Sequence, residues 1–338
     1  MTVPAVPFDH LLRLSDGTGL FEHALLTVPR REHGYCLDDV ARGLVVVSRE
    51  PFPPPEVAAL RDRYLRFVIA AQTPDGTVHN RLGPDGRWLD RPGLDDCWGR
   101  SLWGLGTAAA RDPAGEHAGR ALLHFRVGAG RRSPWPRAMA FAALGAAEVL
   151  RVRPGHPAAL DLLAAAAATV GRPVPDDAWP WPEPRLSYAT AVLAEALLAA
   201  GRGLGDGRLL DDGLRLLGWL LDTETRDGHL SVTPVGGWAR GEPRPGFDQQ
   251  PIEVAALADA CARAVELTGD RRWQDGLDRA VAWFLGDNDA RTPLHDPASG
   301  GGCDGLHPYG RNENQGAEST LALIATLQHA HRLAPASR

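Results

Sequence analysis

The chain contains no lysine, and all 36 of its basic residues are arginine. Alanine, glycine and proline are abundant, which together with the absence of lysine is typical of GC-rich coding. An isolated arginine on the surface is therefore weak support for a function. The formal net charge of −6 gives no indication of a nucleic acid or another polyanion as partner.

Cysteines and long apolar runs are also scarce. The four cysteines are widely spaced and do not form a disulfide framework. No uninterrupted apolar run approaches the length of about 20 residues needed to span a membrane. The first residues lack a basic segment followed by an apolar one, so no secretory signal is visible. These absences predict a soluble cytoplasmic protein.

Six stretches share one pattern, in which polar, acidic or aromatic residues lead into a nearly uncharged helix. They begin near residues 38, 95, 135, 185, 248 and 313. The segments 138–147 and 319–327 behind two of these starts contain no charged residue, and 186–200 contains only Glu195. A helix that is apolar on every side is buried on every side. We therefore expect six inner helices.

Segments of a different character lie between them, with charged residues on one face only. They cover residues 56–71, 114–126, 157–169, 207–222 and 271–285. Such patterning predicts half-exposed helices. Alternation of buried and half-exposed helices at spacings of about 40 to 65 residues indicates a repeat architecture.

The simplest closure of this alternation is an all-α fold, an (α/α)6 toroid or six-hairpin barrel, as a single domain over residues 1–338. Residues 7–14 should join the last helix at the seam. Short β-hairpins are expected in the rim loops, near 76–82 and 228–232. Because alternate helices point the same way, the N-termini of all inner helices should meet at one end. The acidic starts would then form the rim of one pocket.

The rim carboxylates are the candidate catalytic groups, namely Asp38, Asp39, Glu253 and Glu318. An acidic residue at a helix start is commonly an N-cap, and this is the alternative for each of them. Several acids gathered with aromatic rings are, however, what a sugar requires, because rings stack on sugar faces and carboxylates or amides bind hydroxyls. The candidate substrate-binding residues are Arg42, Asp95, Asp96, Trp98, Arg100, Trp135, Trp181, Trp238, Asp248, Gln249, Gln250, His307, Tyr309, Asn314 and Gln315.

Cleavage of a glycosidic bond needs two carboxyl groups of different pKa, one to donate a proton and one to activate water. The rim predicts an inverting glycoside hydrolase, or a phosphorylase with Arg42, Arg100 or Arg311 binding phosphate. A sugar epimerase or isomerase is the second hypothesis, although it favours paired histidines and only His307 and His10 lie near the rim. A non-catalytic saccharide-binding partner of a glycosyltransferase is the third.

Three of the cysteines, Cys36, Cys97 and Cys303, lie in rim segments and could hold zinc together with a histidine or a glutamate. No closely spaced Cys or His pair accompanies them, and a free cysteine is often a small buried apolar group. We therefore predict no metal and no cofactor.

Two motifs carry a resemblance to known proteins, Gly34 to Arg42 (GYCLDDVAR) and Asn314 to Thr320 (NQGAEST). The chain resembles the six-hairpin glycosidase superfamily, and is similar to bacterial proteins with these motifs that are labelled as glycosyltransferase-associated. The similarity extends over nearly the whole chain, including residues 16–24, 248–253 and 299–320; Val40 stands where asparagine is most frequent. The resemblance implies an (α/α)6 barrel with a carbohydrate site, but it assigns no catalytic residue, since hydrolases, phosphorylases and epimerases share this architecture.

Overall fold

A computed structural model describes residues 3–111 and 115–334, in which α-helices alternate between an inner and an outer ring. The short α1 (Asp9–Arg13) precedes the first inner helix. The helices that follow are α2 (Leu37–Arg49), α3 (Pro55–Ala71), α4 (Asp96–Arg111), α5 (Glu116–Gly128), α6 (Pro136–Val152), α7 (Pro157–Val170), α8 (Val192–Leu204), α9 (Gly207–Thr223), α10 (Pro251–Thr268), α11 (Arg271–Phe284) and α12 (Ala317–Leu333). The even-numbered helices form the inner ring.

The inner ring is closed, because each even-numbered helix contacts the next and α12 contacts α2. The outer helices pack behind them, and α1 lies against α12 at the seam, as expected for residues 7–14. His10 fixes this seam, since its Nε2 lies 2.8 Å from the carbonyl oxygen of Gln315. The chain therefore folds as the predicted (α/α)6 toroid.

Glycines allow two inner helices, α4 and α6, to touch along their backbones. A Cβ added at Gly99 would lie 2.1 Å from the carbonyl oxygen of Ala138, and one at Gly106 would lie 2.2 Å from that of Gly145. Both contacts pair residues 39 positions apart, so the two helices run parallel and in register. Parallel inner helices bring their N-termini to one end of the toroid, which we call the mouth.

The fourth inner helix begins later than its sequence suggests. Apolar character starts at 186, but α8 begins at Val192. Ala189 adopts a positive φ of 44°, a conformation incompatible with a helix. Of the outer helix expected over 114–126, residue 114 lies outside the described residues, and α5 continues to Gly128.

The strands are short and form antiparallel pairs between the helices. They are β1 (Ala24–Leu25) with β2 (Val28–Pro29), β3 (Tyr35–Cys36) with β4 (Arg81–Leu82), β5 (Arg185–Leu186) with β8 (Trp238–Ala239), β6 (Thr225–Arg226) with β7 (His229–Leu230), β9 (His295–Asp296) with β10 (Gly301–Gly302), and β11 (Gly305–His307) with β12 (Gly310–Asn312). The strand expected within 76–82 pairs with β3, ahead of α2, and thereby ties two rim loops together. None of the described helices is both long and apolar enough to cross a bilayer.

Candidate active site

Asp38 stands in the first turn of α2 and is held from two sides at the mouth. Its Oδ1 accepts a hydrogen bond from Nη1 of Arg100 at 2.9 Å. Its Oδ2 accepts from Nδ2 of Asn80 at 3.1 Å. The side chain is 17 % exposed. Asp38 is thus a positioned carboxylate that still reaches solvent.

The next residue, Asp39, belongs to a second charged group that joins the two ends of the chain. Nη2 of Arg42 donates to Asp39 at 2.5 Å, and its Nη1 donates to Glu318 of α12 at 3.0 Å. Asp39 is 3 % exposed, whereas the side chain of Glu318 is 40 % exposed. Arg42 therefore joins two of the four predicted catalytic residues, Asp39 and Glu318, whereas the carboxylate of Asp38 is held by Arg100 and Asn80.

A cavity of about 340 Å³ opens beside Asp38. Its wall includes Asp95 and Asp96 at the start of α4, together with Trp135 ahead of α6. Trp135 is 57 % exposed, so its ring is accessible to a ligand. This cavity gathers carboxylates and an aromatic ring, the combination expected of a sugar site.

Burial affects two acids at the mouth in the same direction. It raises the pKa of the Asp96 carboxyl, against the effect of Arg100, and Asp38 adds to the increase. It raises the pKa of Asp39 to about 7, although Arg42 opposes this and Glu318 contributes to it. Desolvation disfavours the charged form of a carboxyl. The mouth therefore holds acids that retain a proton at higher pH than an exposed aspartate.

The guanidinium of Arg100 is buried between aromatic rings. Its Cζ lies 4.5 Å from the ring centre of Phe141 and 5.9 Å from that of Tyr188. Nε and Nη2 have no hydrogen-bond partner among the described residues. Buried donors of this kind are usually satisfied by water or by a ligand. Arg137, in contrast, is fully engaged by a bidentate pair with Glu183 at 2.7 and 2.9 Å.

Glu253 lies away from the cavity. Its carboxylate accepts the backbone N–H groups of Ala189 at 2.5 Å and Thr190 at 3.1 Å, and it is 3 % exposed. Burial raises its pKa to about 8, although those N–H groups lower it. These bonds hold the irregular turn that precedes α8. In this arrangement Glu253 supports the rim backbone.

Several predicted substrate-binding residues are enclosed in the protein. Trp98 and Trp181 are 0 % and 1 % exposed, so neither ring can stack on a sugar. Gln249 accepts from Trp283 and donates to Asp289. Gln315 donates to Asp296 at 2.9 Å and accepts from Ser299 at 2.6 Å. The polar atoms of Trp98, Gln249 and Gln315 are bonded within the protein, so these side chains stabilise the core and the rim loops. Nε1 of Trp181 is buried and has no hydrogen-bond partner among the described residues.

The other predicted residues lie on the rim. Asp248, Gln250, Trp238 and His307 are partly or fully exposed, and Tyr309 at the tip of the β11–β12 hairpin is 96 % exposed. Asn314 accepts the backbone N–H of Leu26 at 2.9 Å and so fixes the neighbouring hairpin. None of these six side chains lines the 340 Å³ cavity.

The three rim cysteines do not assemble into one site. Among the described residues, the group whose potential ligand atoms lie within 4.8 Å of one another consists of Cys36, Glu22 and Asp39, without Cys97 or Cys303. In this group Glu22 pairs with Arg81, and Asp39 pairs with Arg42. In the described part of the chain, the three thiolates therefore do not form the zinc site that was considered from the sequence.

Two residues at the mouth, Asn80 and Tyr188, are not among the site residues that the sequence predicts. Asn80 lies within the segment 76–82, whose sequence indicates only a strand, and Tyr188 lies in a segment whose sequence indicates a helix. Each contacts a charged group from another element, Asn80 with Asp38 and Tyr188 with Arg100. No local pattern could have identified them, since their roles depend on strand pairing and on the late start of α8.

No family model matches this sequence, and a search of the curated proteins finds no match. Solved structures nevertheless share its fold. A sugar epimerase from a ruminal bacterium superposes with a TM-score of 0.72 at 13 % identity, over 97 % of this chain and 96 % of that one. The cellobiose 2-epimerase of Bacillus thermoamylovorans gives 0.73 at 11 % identity, over 96 % and 95 %.

A glycoside hydrolase shows the same likeness. The GH76 α-mannanase of Bacteroides thetaiotaomicron gives a TM-score of 0.65 at 10 % identity, over 96 % of this chain and 93 % of that one. At such identities the likeness establishes the fold alone. The chain thus has an (α/α)6 fold that is also found in these sugar epimerases and in this glycoside hydrolase.

Proposed function

We propose that the protein is a carbohydrate-active enzyme that cleaves a glycosidic bond in a short oligosaccharide, with Asp96 as general acid and Asp38 as general base. One observation carries this proposal. Both carboxylates and the exposed ring of Trp135 line the same cavity at the mouth of the toroid. Similar folds in a GH76 mannanase and in sugar epimerases support a carbohydrate substrate.

The two carboxyl groups have different surroundings, as acid–base catalysis requires. Burial raises the pKa of Asp96, which favours a retained proton that can pass to the leaving oxygen. Asp38 accepts bonds from Arg100 and Asn80, and hydrogen bonds to a carboxylate hold it in one orientation. An oriented carboxylate can take a proton from an attacking water on the far side of the sugar ring.

The remaining groups suit a sugar with several hydroxyls. Trp135 offers a stacking surface beside the two acids. Arg100 does not line this cavity, but its Nη1 donates to Asp38 and thereby orients the proposed base. Glu318 of α12 pairs with Arg42 of α2 outside the lining of this cavity, and its side chain is 40 % exposed. Glu318 is therefore the further carboxylate whose catalytic role is to be tested.

A sugar epimerase or isomerase is the second candidate, because two of the most similar folds belong to sugar epimerases. Proton abstraction beside a carbonyl near neutral pH is most often carried out by histidine. No described histidine lines the cavity, and this favours the glycosidic reaction. Association with a glycosyltransferase stays a prediction.

The test is a panel of gluco- and manno-oligosaccharides incubated with the protein in three ways. Release of reducing ends indicates a hydrolase, and formation of a sugar 1-phosphate in phosphate buffer indicates a phosphorylase. Deuterium from D₂O at a carbon of the recovered sugar indicates the epimerase reaction. Binding without any turnover would favour the non-catalytic alternative.

Variants then test the residues. Asp96→Asn and Asp38→Asn should each lower kcat by about 10²-fold or more, as is typical for loss of a general acid or base. Asp211→Asn makes the same chemical change on the exposed face of α9 and should leave kcat unchanged. Full activity in both cavity variants would refute the assignment, and Glu318→Gln would then be the next variant.

A further inference from the structure

A second and larger cavity lies at the opposite end of the toroid, where the inner helices end. Its volume is about 700 Å³, within the range of small-molecule sites. Five inner helices each direct one arginine from their C-terminal half into its wall. These are Arg49 of α2, Arg111 of α4, Arg151 of α6, Arg263 of α10 and Arg332 of α12.

Five carboxylates also line this wall, and they are distributed unevenly among the arginines; one of them, Glu50, pairs with none of the five. Arg49 pairs with Asp259 at 2.8 Å, and Arg263 pairs with Glu195 at 2.9 Å. Arg332 pairs with Glu266.

The remaining two arginines share one partner. Glu148 lies 3.3 Å from Arg151 and 3.6 Å from Arg111, so neither arginine has a carboxylate of its own. Nε of Arg111 is buried and has no hydrogen-bond partner among the described residues. The positive charge is therefore least compensated between α4 and α6.

Two of the five arginines have a lowered pKa. Burial lowers the pKa of Arg111, Glu148 opposes this, and Arg49 and Arg151 lower it further. Burial, Arg49 and Arg111 lower the pKa of Arg332 to about 10. Neighbouring cations disfavour one another when they crowd a partly desolvated space. An anion between them would relieve this repulsion.

Arginine near a helix C-terminus commonly offsets the helix dipole at an exposed surface. That role does not account for the whole group, since Arg49 is only 8 % exposed and the cavity wall also contains buried Asp259, Glu195 and His329. These acceptors face the same space and can bind hydroxyl groups.

The cavity is also separate from the mouth. The interior of the ring between the two ends offers only about 50 Å³. Apolar side chains such as Val46, Trp103 and Phe141 form most of its lining, with charged residues such as Arg100 and Asp259 among them. A sugar ring cannot pass through such a space. Whatever occupies the 700 Å³ cavity therefore enters from its own end of the toroid.

We propose that this cavity is a binding site for a small hydroxylated molecule that carries one oxyanion, with Arg111 and Arg151 holding the oxyanion. Guanidinium groups recognise phosphate and carboxylate alike, through paired N–H donors. The oxyanion is thus that of a sugar phosphate or that of a sugar acid. This site does not depend on the reaction proposed for the mouth.

Titration calorimetry with glucose 6-phosphate, glucuronate and uncharged glucose tests the proposal on the full chain. At least one of the two anions should bind more tightly than glucose, and added salt should weaken that binding. Binding of glucose 6-phosphate alone identifies phosphate as the oxyanion, and binding of glucuronate alone identifies carboxylate. Equal binding of all three compounds, or of none, would overturn the proposal.

Some variants should weaken anion binding and one should strengthen it, so misfolding cannot explain both changes in affinity. Arg111→Gln and Arg151→Gln should each weaken anion binding about tenfold or more, as expected for loss of a charged hydrogen bond. Glu148→Gln removes the competing carboxylate and should strengthen binding. Arg271→Gln on the outer helix α11 is the control, since its side chain is 83 % exposed and remote from the cavity. Equal affinities in Arg111→Gln, Arg151→Gln and Arg271→Gln would contradict the site.

Discussion

Close contact between α4 and α6 makes the inner ring sensitive to a single methyl group. Gly106→Ala would place a Cβ 2.2 Å from the carbonyl oxygen of Gly145 and 2.7 Å from its Cα. Ordinary contacts begin at 3.4 Å. Because the obstructing atoms belong to backbone, no side-chain rotation can relieve the clash. The two helices must separate by about 1 Å, which is the shortfall in that distance.

The expected effect follows from two opposing terms. Overpacking a dense core costs about 1–3 kcal/mol, and we expect the upper end of this range because backbone must move. Replacing glycine with alanine inside a helix returns about 1 kcal/mol. The net loss in the free energy of unfolding is then about 2 kcal/mol. With an unfolding entropy of about 0.7 kcal/mol per kelvin for a chain of this length, Tm should fall by about 3 °C.

Gly119→Ala is the matched control. Gly119 lies on the outer helix α5, where an added Cβ would meet nothing within 4 Å. The same chemical change should therefore raise stability by about 1 kcal/mol and Tm by about 1 °C. Calorimetry at one scan rate, together with guanidinium titration, measures both variants. A Tm for Gly106→Ala at or above that of Gly119→Ala would refute the close parallel packing of α4 and α6.

Three further outcomes are expected at the mouth. Glu253→Gln should lower the free energy of unfolding by about 1–3 kcal/mol with kcat nearly unchanged, because the amide oxygen can accept one of the two backbone N–H groups but the amide nitrogen cannot accept the other. Thermal unfolding and turnover measured on one sample would separate this role from a catalytic one. The folded-state pKa of Asp39 is raised to about 7, so its contribution to stability is fully present below about pH 4 and is lost as pH rises through 7. Urea titrations from pH 4 to 8 should show that the free energy of unfolding falls less steeply with pH in Asp39→Asn than in the unmodified protein. The difference in slope should be at most about 1.4 kcal/mol per pH unit. Trp135→Ala should weaken oligosaccharide binding about tenfold by calorimetry, whereas Phe52→Ala, which removes a 90 % exposed ring remote from the cavity, should not.

The acidic helix starts illustrate how far sequence reasoning reached. The sequence predicts that Asp38, Asp39 and Glu318 lie at one rim. In the structure Arg42 joins Asp39 to Glu318, and Arg100 holds the neighbouring Asp38. Glu253 carries the same local signal, an acid in the first turn of an inner helix, yet its carboxylate turns to the backbone N–H groups ahead of α8. The difference arises from the positive φ of Ala189, which no periodicity reveals.

The aromatic residues show the same limit. Trp98, Trp135 and Trp181 all belong to the polar starts, and only Trp135 is exposed. Exposure depends on which neighbouring helix covers the ring. Isolated arginines in a chain without lysine are weak support for a function. The structure nevertheless places five of them around one cavity at the C-terminal ends of the inner helices.

The alternation of apolar and amphipathic helices was sufficient by itself to determine the ring of inner and outer helices, because the distribution of apolar residues around a helix determines which of its faces are buried. It also placed the acidic starts at one end, since alternate helices in a closed ring are parallel. Only the tertiary structure decided which acids face a cavity and which arginines pair with them. Those choices rest on contacts such as Arg42 with Glu318, which join residues 276 positions apart.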